Sequence, residues 1–290
     1  MTNYIKQNIL ILSVIAMLAV LLCGCGNKEK VKKLEVRGGD LLRYSLCLEE
    51  EYSQTVSCPI VLNRKAKDIS FNGYVAENND LLSLTAVETD MDNCVKYNGY
   101  YVYFAIVNVA CEKYDEVIDV DIDKLLFDID DELVEYATPH FNVKNTTYYC
   151  EKEDCIIEEN SLMISDGFTG IYGYIPDENN KINLTLTIDK DVKIESYMLA
   201  DFLKVENLEI YGNNYDSNRI DLDLKKNKDI PLLYTLGFGD DISEDCIIRS
   251  SQIIIYEKNN QKHLWVYEPG IYIWKDYAEY GNIERYIDAL

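Results

Sequence analysis

Positive charge is scarce in this chain: 28 Lys and Arg stand against 51 Asp and Glu among 290 residues, a formal charge of −23. A surface of that sign repels phosphate-rich polymers, which excludes nucleic acid as a partner. Histidine is scarcer still, with only His140 and His263. Neither sits in a serine-elbow or cysteine-protease context, so the sequence offers no base for a Ser or Cys nucleophile. No C-x-x-C pair occurs, and with two histidines a structural zinc site has no ligand set. Five Pro, 14 Gly and a 48% hydrophobic content exclude collagen-like and disordered classes. No apolar run reaches the roughly 20 residues of a membrane-spanning helix.

The amino terminus carries the first positive signal. Lys6 precedes Ile9 to Leu22, a run interrupted only by Ser13, which has the length of a signal-peptide core. Leu22-Cys23-Gly24-Cys25 comes next and resembles the lipobox of bacterial lipoproteins, with Leu at −3 and a small residue at −1. The resemblance implies that signal peptidase II recognises Leu22, Cys23 and Gly24 and removes residues 1–24. It implies too that the Cys25 thiol carries diacylglycerol, holding the protein as a palmitate-type lipid-anchored ectodomain on the extracytoplasmic face of the cell membrane. A box ending at Cys23 would instead place the large Leu22 at −1. Residues 25–40 then read as the lipidated Cys and a flexible stalk, with Lys28, Lys30, Lys32 and Lys33 near the headgroups.

Seven further cysteines remain: Cys47, Cys58, Cys94, Cys111, Cys150, Cys155 and Cys246. An odd number cannot all pair. Cys150 and Cys155 bracket the polar loop Glu151 to Asp154 and are the candidate disulfide, against the alternative of small buried thiols.

Alternation of apolar and polar residues dominates the remainder of the chain. Ile182, Leu184, Leu186 and Ile188 alternate with polar residues, as do Ile220, Leu222 and Leu224, the pattern of strands with one wet face. Tyr100 to Cys111 is apolar on both faces and reads as a central strand. Ile253 to Tyr256 and His263 to Tyr267 flank a polar hairpin, and Pro269-Gly270 reads as a turn into Ile271 to Trp274. Met198, Leu199, Phe202 and Val205 suggest a short helix, and Asn282 a cap for a last one ending at Leu290. The expected fold class is mainly β: an immunoglobulin-like β-sandwich over 41–190, then a smaller α+β region over 191–290.

The order of segments from about Leu81 to Ile188 resembles telokin-like immunoglobulin-fold domains of bacterial surface lipoproteins. Tyr101 to Val109, Leu126 to Asp131 and Gly170 to Pro176 carry the likeness, which implies an interaction role and supplies no catalytic residues. Phe202, Val205, Leu208, Ile210 and Asn213, then Ile230, Leu233, Leu236, Phe238 and Asp241, also resemble two leucine-rich-repeat frames over 202–241. Two copies are too few to bury a repeat core.

Asp119, Asp121 and Asp123 with Asp128, Asp130 and Asp131 raise a calcium reading. Lys124 stands where a calcium loop needs Gly, and the interleaved Val120 and Ile122 argue for a strand with an acidic face. Trp265, Tyr267, Tyr272 and Trp274 are candidates for a sugar-stacking platform. No catalytic residue, metal ligand or cofactor is nominated. The expected function is a non-catalytic binding or interaction module, its partners the membrane through Cys25 and a protein or glycan ligand. The alternative is an extracellular hydrolase of glycans or cell-wall material that uses carboxylates or calcium.

Overall fold

Period-two alternation becomes strand after strand. The computed structural model describes residues 33–49, 53–157, 162–165, 169–170, 173–174, 180–188, 191–199, 203–226, 228–238, 246–273, 287–288 and 290. β1 (Val36–Arg37), β2 (Leu42–Leu48), β3 (Gln54–Leu62), β4 (Ile69–Ala76), β5 (Leu82–Tyr97), β6 (Tyr100–Cys111), β7 (Asp119–Ile129), β8 (Glu132–Ala137) and β9 (Phe141–Asn145) lead into helix α1 (Thr146–Glu153). Then come β10 (Ile156–Ile157), β11 (Leu162–Ser165), β12 (Thr169–Gly170), β13 (Gly173–Tyr174), β14 (Lys181–Ile188), β15 (Val192–Leu199) and β16 (Leu203–Ile210). β17 (Asn213–Tyr215), β18 (Leu222–Leu224), β19 (Asp229–Phe238), β20 (Ile247–Lys258) and β21 (Gln261–Ile273) complete the described elements.

Three sheets form from these strands. A four-stranded sheet runs β1-β3-β6-β5 and a five-stranded one runs β11-β14-β19-β16-β17. The third, of twelve strands, runs β12-β13-β21-β20-β2-β9-β7-β4, with β8, β10, β15 and β18 joined to its members. At its centre β2 lies parallel to both β20 and β9. Neighbouring residues of a strand point to opposite faces. On β20, Ile248 joins the core shared with the five-stranded sheet and Gln252 bonds Tyr234 of β19, whereas Arg249 donates to the Thr55 carbonyl of β3. The two smaller sheets therefore cover opposite faces of the large one, giving a β-sandwich-type fold with a small helical element.

Tyrosine supplies much of the filling. Tyr44, Tyr103, Tyr136, Tyr197, Tyr234 and Tyr256 are among the largest fully buried side chains. Their hydroxyls need partners in a dry core. Tyr44 donates to the Ser57 carbonyl at 2.6 Å and Tyr136 to the Pro59 carbonyl at 2.8 Å, tying the four-stranded sheet to the large one. Tyr197, Tyr234 and Gln252 bond one another between the other two layers.

Turn chemistry sets the registers. Asn98-Gly99, Asp130-Asp131, Tyr211-Gly212 and Asn259-Asn260 all have positive φ at both positions and join directly paired strand ends, as two-residue type I′ turns require.

The expected strands at Ile182 to Ile188 and Tyr100 to Cys111 are β14 and β6, and β6 lies between β3 and β5. The Ile220 to Leu224 strand shortens to β18, because Asp221 has φ 52°. The hairpin across 257–262 forms between β20 and β21. Three expectations are corrected. Met198 to Val205 is no helix: Met198 and Leu199 end β15 and Val205 lies on β16, where they meet partner strands that a lone helical turn would leave unpaired. Pro269-Gly270 makes no chain reversal, because β21 continues through it as a bulge, three residues opposing Ser251 alone. Residues 151–153 are no loop but the last turn of α1.

The two leucine-rich frames fall largely on β16 and β19, which pair antiparallel. Of the expected C-terminal helix, Ile287 and Asp288 are helical, Leu290 is not, and the rest lies outside the described residues. Residues 36–290 form one compact unit. Within it β1 draws Val36 and Arg37 of the expected stalk onto Val61 and Leu62, and the β2–β20 pairing joins the two parts expected on either side of residue 190.

Candidate functional site

The densest group of reactive side chains lies where α1 meets the large sheet. Asn145 caps the helix: its Oδ1 accepts from the amides of Tyr148 (3.0 Å) and Ile118 (3.1 Å), and its Nδ2 donates to the Glu116 carbonyl at 2.9 Å. Capping by Asn starts the helix in a segment of poor helix formers. The helix stops at Asp154, whose left-handed conformation (φ 52°) reverses the chain. The amide of Cys155 then donates to the Cys150 carbonyl at 3.1 Å, and the Cys155 thiol lies 3.5 Å from the Cys150 sulfur.

Tyr149 anchors α1 in an apolar cluster with Cys47, Ile253, Leu264 and Val266, and Cys150 and Cys155 pack against its edge. Cys47 is fully buried, while Cys150 and Cys155 are half-buried. The hydrogen bond from Cys155 lowers the pKa of the Cys150 thiol, opposed by burial and by Cys47. The same bond, with burial and the neighbouring Cys150 and Glu153, raises that of Cys155. The arrangement is a pair of half-buried thiols within contact distance of each other at the end of α1.

The candidate pair Cys150 and Cys155 is thus brought together. Leu22, Cys23, Gly24 and Cys25 lie outside the described residues. Asp119, Asp121 and Asp123 line the exposed face of β7, where Asn142 Nδ2 reaches both Asp119 and Asp121 at 2.9 Å. Asp128 accepts from Asn72 at 2.5 Å, and Asp130 accepts from Arg64 and from the amides of Lys67 and Asp68. Asp119, Asp121, Asp128 and Asp130 are thus engaged by local donors, and among the described residues no group of three or more His, Cys, Asp or Glu could hold a metal ion.

His140 is exposed at the start of β9, and His263 is buried against Tyr256 with ring centroids 5.3 Å apart. Of the four aromatic candidates only Trp265 has a described side chain. Trp265 packs against the core beneath the five-stranded sheet, because it shares its face of β21 with Ile254 across the ladder. Tyr267 and Tyr272 pair through their backbones with Gln252 and Arg249, and Trp274 lies outside the described residues. Asp80, Asp90, Asp130, Asp191 and Asp221, the described carboxyls with a shift, all move down.

One small cavity, of about 80 Å³, opens beside the helix start, lined among others by Leu48, Cys111, Asp115, Asn145 and Thr146. Sequence reasoning missed α1 itself and the approach of Cys47 to Cys150. Asn145 three residues before Tyr148 is the local signal for the helix. Nothing local signals Cys47, a residue of a distant strand.

No protein-family model and no curated protein matches the chain. Among solved structures it is similar to the titin Ig tandem domains A164-A165, at 8% identity over 80% of this chain and 93% of that one, TM-score 0.19. It is similar to the N-terminal periplasmic domain of ScsB from Proteus mirabilis, at 7% identity over 76% and 89% of the two chains, TM-score 0.23. The C-terminal domain of the AgI/II polypeptide BspA from Streptococcus agalactiae shares 7% identity over 80% and 97%, TM-score 0.17. At such TM-scores these likenesses carry no argument.

Proposed function

We propose that this protein is a lipid-anchored bacterial ectodomain that acts as a non-catalytic binding module at the extracytoplasmic face of the membrane. The observation that supports the reading most directly is the boundary of the fold. The compact unit begins at Val36, shortly after the lipobox-like Cys25. At about 3.5 Å per residue, the contour length between Cys25 and Val36 is roughly 40 Å at most. Two acyl chains on Cys25 supply stable anchoring, since each buried methylene contributes about 0.8 kcal/mol. Charge favours a neutral or cationic protein or a glycan as ligand, and fold alone assigns no activity.

Intact mass of the protein extracted from membranes tests the anchor. The expected product starts at Cys25 and carries diacylglycerol, and Cys25→Ser accumulates as an unlipidated precursor. A product that keeps residues 1–24 and carries no lipid overturns the reading.

A further inference from the structure

We propose that Cys150 and Cys155 are a redox-active pair that cycles between dithiol and intramolecular disulfide by exchange with an external disulfide. Residues five apart on a continuing helix point about 140° from each other, so the spacing alone separates these thiols. The left-handed Asp154 ends α1 and folds Cys155 back, and the carbonyl of Cys150 holds the amide of Cys155 in place. That reversal puts the sulfurs 3.5 Å apart. Accessibility supplies the second support: both residues are only half-buried, as is Cys94 on β5, which has no such sulfur partner described, whereas Cys47, Cys58, Cys111 and Cys246 are buried. An external disulfide can approach this pair and not those four.

The exchange balances without a further reactant. The Cys150 thiolate attacks one sulfur of the external disulfide, whose S–S bond breaks and releases one thiolate. The mixed disulfide at Cys150 is then attacked by Cys155, which gives up its proton to solvent and displaces the second thiolate. The protein loses two electrons and two protons, and the external disulfide leaves as two thiols. Closure would pin the end of α1 to β10, which pairs with His263 and Leu264 of β21. The proposal is independent of the lipid anchor, and its test reads sulfur chemistry alone.

The test equilibrates the full chain in detergent with glutathione buffers of graded ratio, then traps thiols by acid and alkylation. Trypsin cuts after Lys144, Lys152 and Lys181, so a bridge links peptides 145–152 and 153–181. The expected result is that this linked species forms in oxidised glutathione and disappears in excess reduced glutathione with the protein still folded. Cys47→Ala should still form the linked 145–152/153–181 species, and Cys155→Ala should trap one glutathione per chain at Cys150. Both thiols remaining alkylatable throughout, a bridge from Cys150 to Cys47 instead, or a bridge that persists in excess reduced glutathione overturns the proposal.

Discussion

Single residues show how little slack the packing leaves. Gly39 is buried, and a Cβ built there would lie 1.6 Å from the Ala137 carbonyl oxygen. That oxygen belongs to backbone and cannot swing away, so Gly39→Ala must displace β8 or the turn. We expect a loss of about 2 kcal/mol or more, read from urea unfolding. Asp130 offers a test of pH. Burial raises its pKa, but the amides of Lys67 and Asp68 and the Arg64 guanidinium at 2.5 Å outweigh this and hold the carboxyl below its ordinary value. A depressed folded pKa contributes stability that is present above the unfolded value near 4 and is lost as pH falls through the folded one. Asp130→Asn should therefore cost about 1–2 kcal/mol at pH 7 and progressively less below about pH 4, where the wild type loses the same interaction. Equal destabilisation at pH 7 and pH 3 would contradict this assignment.

At the scale of elements, α1 is the informative one. It has eight residues and little amphipathic pattern, so it cannot persist alone and depends on its cap and on Tyr149. Asn145→Ala removes the acceptor for two amides and a donor, and should cost about 2 kcal/mol while raising the rate at which Cys150 is alkylated. Asn145→Asp keeps the acceptor and loses only the donor to Glu116, so it should cost less. A bridge between Cys150 and Cys155 closes a small ring, for which chain entropy gives about 2 kcal/mol of stabilisation. The oxidised protein should accordingly show the higher urea midpoint.

For the whole molecule, connectivity governs folding. The central strand β2 pairs with β20, some 200 positions away in sequence, through a parallel register starting at Leu42 and Ile247. Such a contact forms only after a long loop closes, which predicts slow folding. A fragment of residues 36–190 loses β20 and leaves one edge of β2 unpaired; it should aggregate or stay partly unfolded, as seen by size-exclusion chromatography and proteolysis. A monomeric, protease-resistant fragment would show instead that the division near residue 190 is a folding boundary.

Local physics accounts for the features that the sequence by itself determined. Alternation at Ile182 to Ile188 and the apolar length of Tyr100 to Cys111 specify strands whatever their partners, because side-chain period and burial are written along the chain. The acidic face of Asp119, Asp121 and Asp123 was legible for the same reason. Tertiary structure decided the features that depend on partners: that Met198 to Val205 spans two strands, that Trp265 is spent on the core, and that β21 runs on through Pro269-Gly270. It also decided that Cys47 neighbours Cys150 and that Cys155 folds back onto it. Those outcomes turn on a left-handed residue at Asp154 and on pairing between strands far apart in the chain, and neither leaves a period in the sequence.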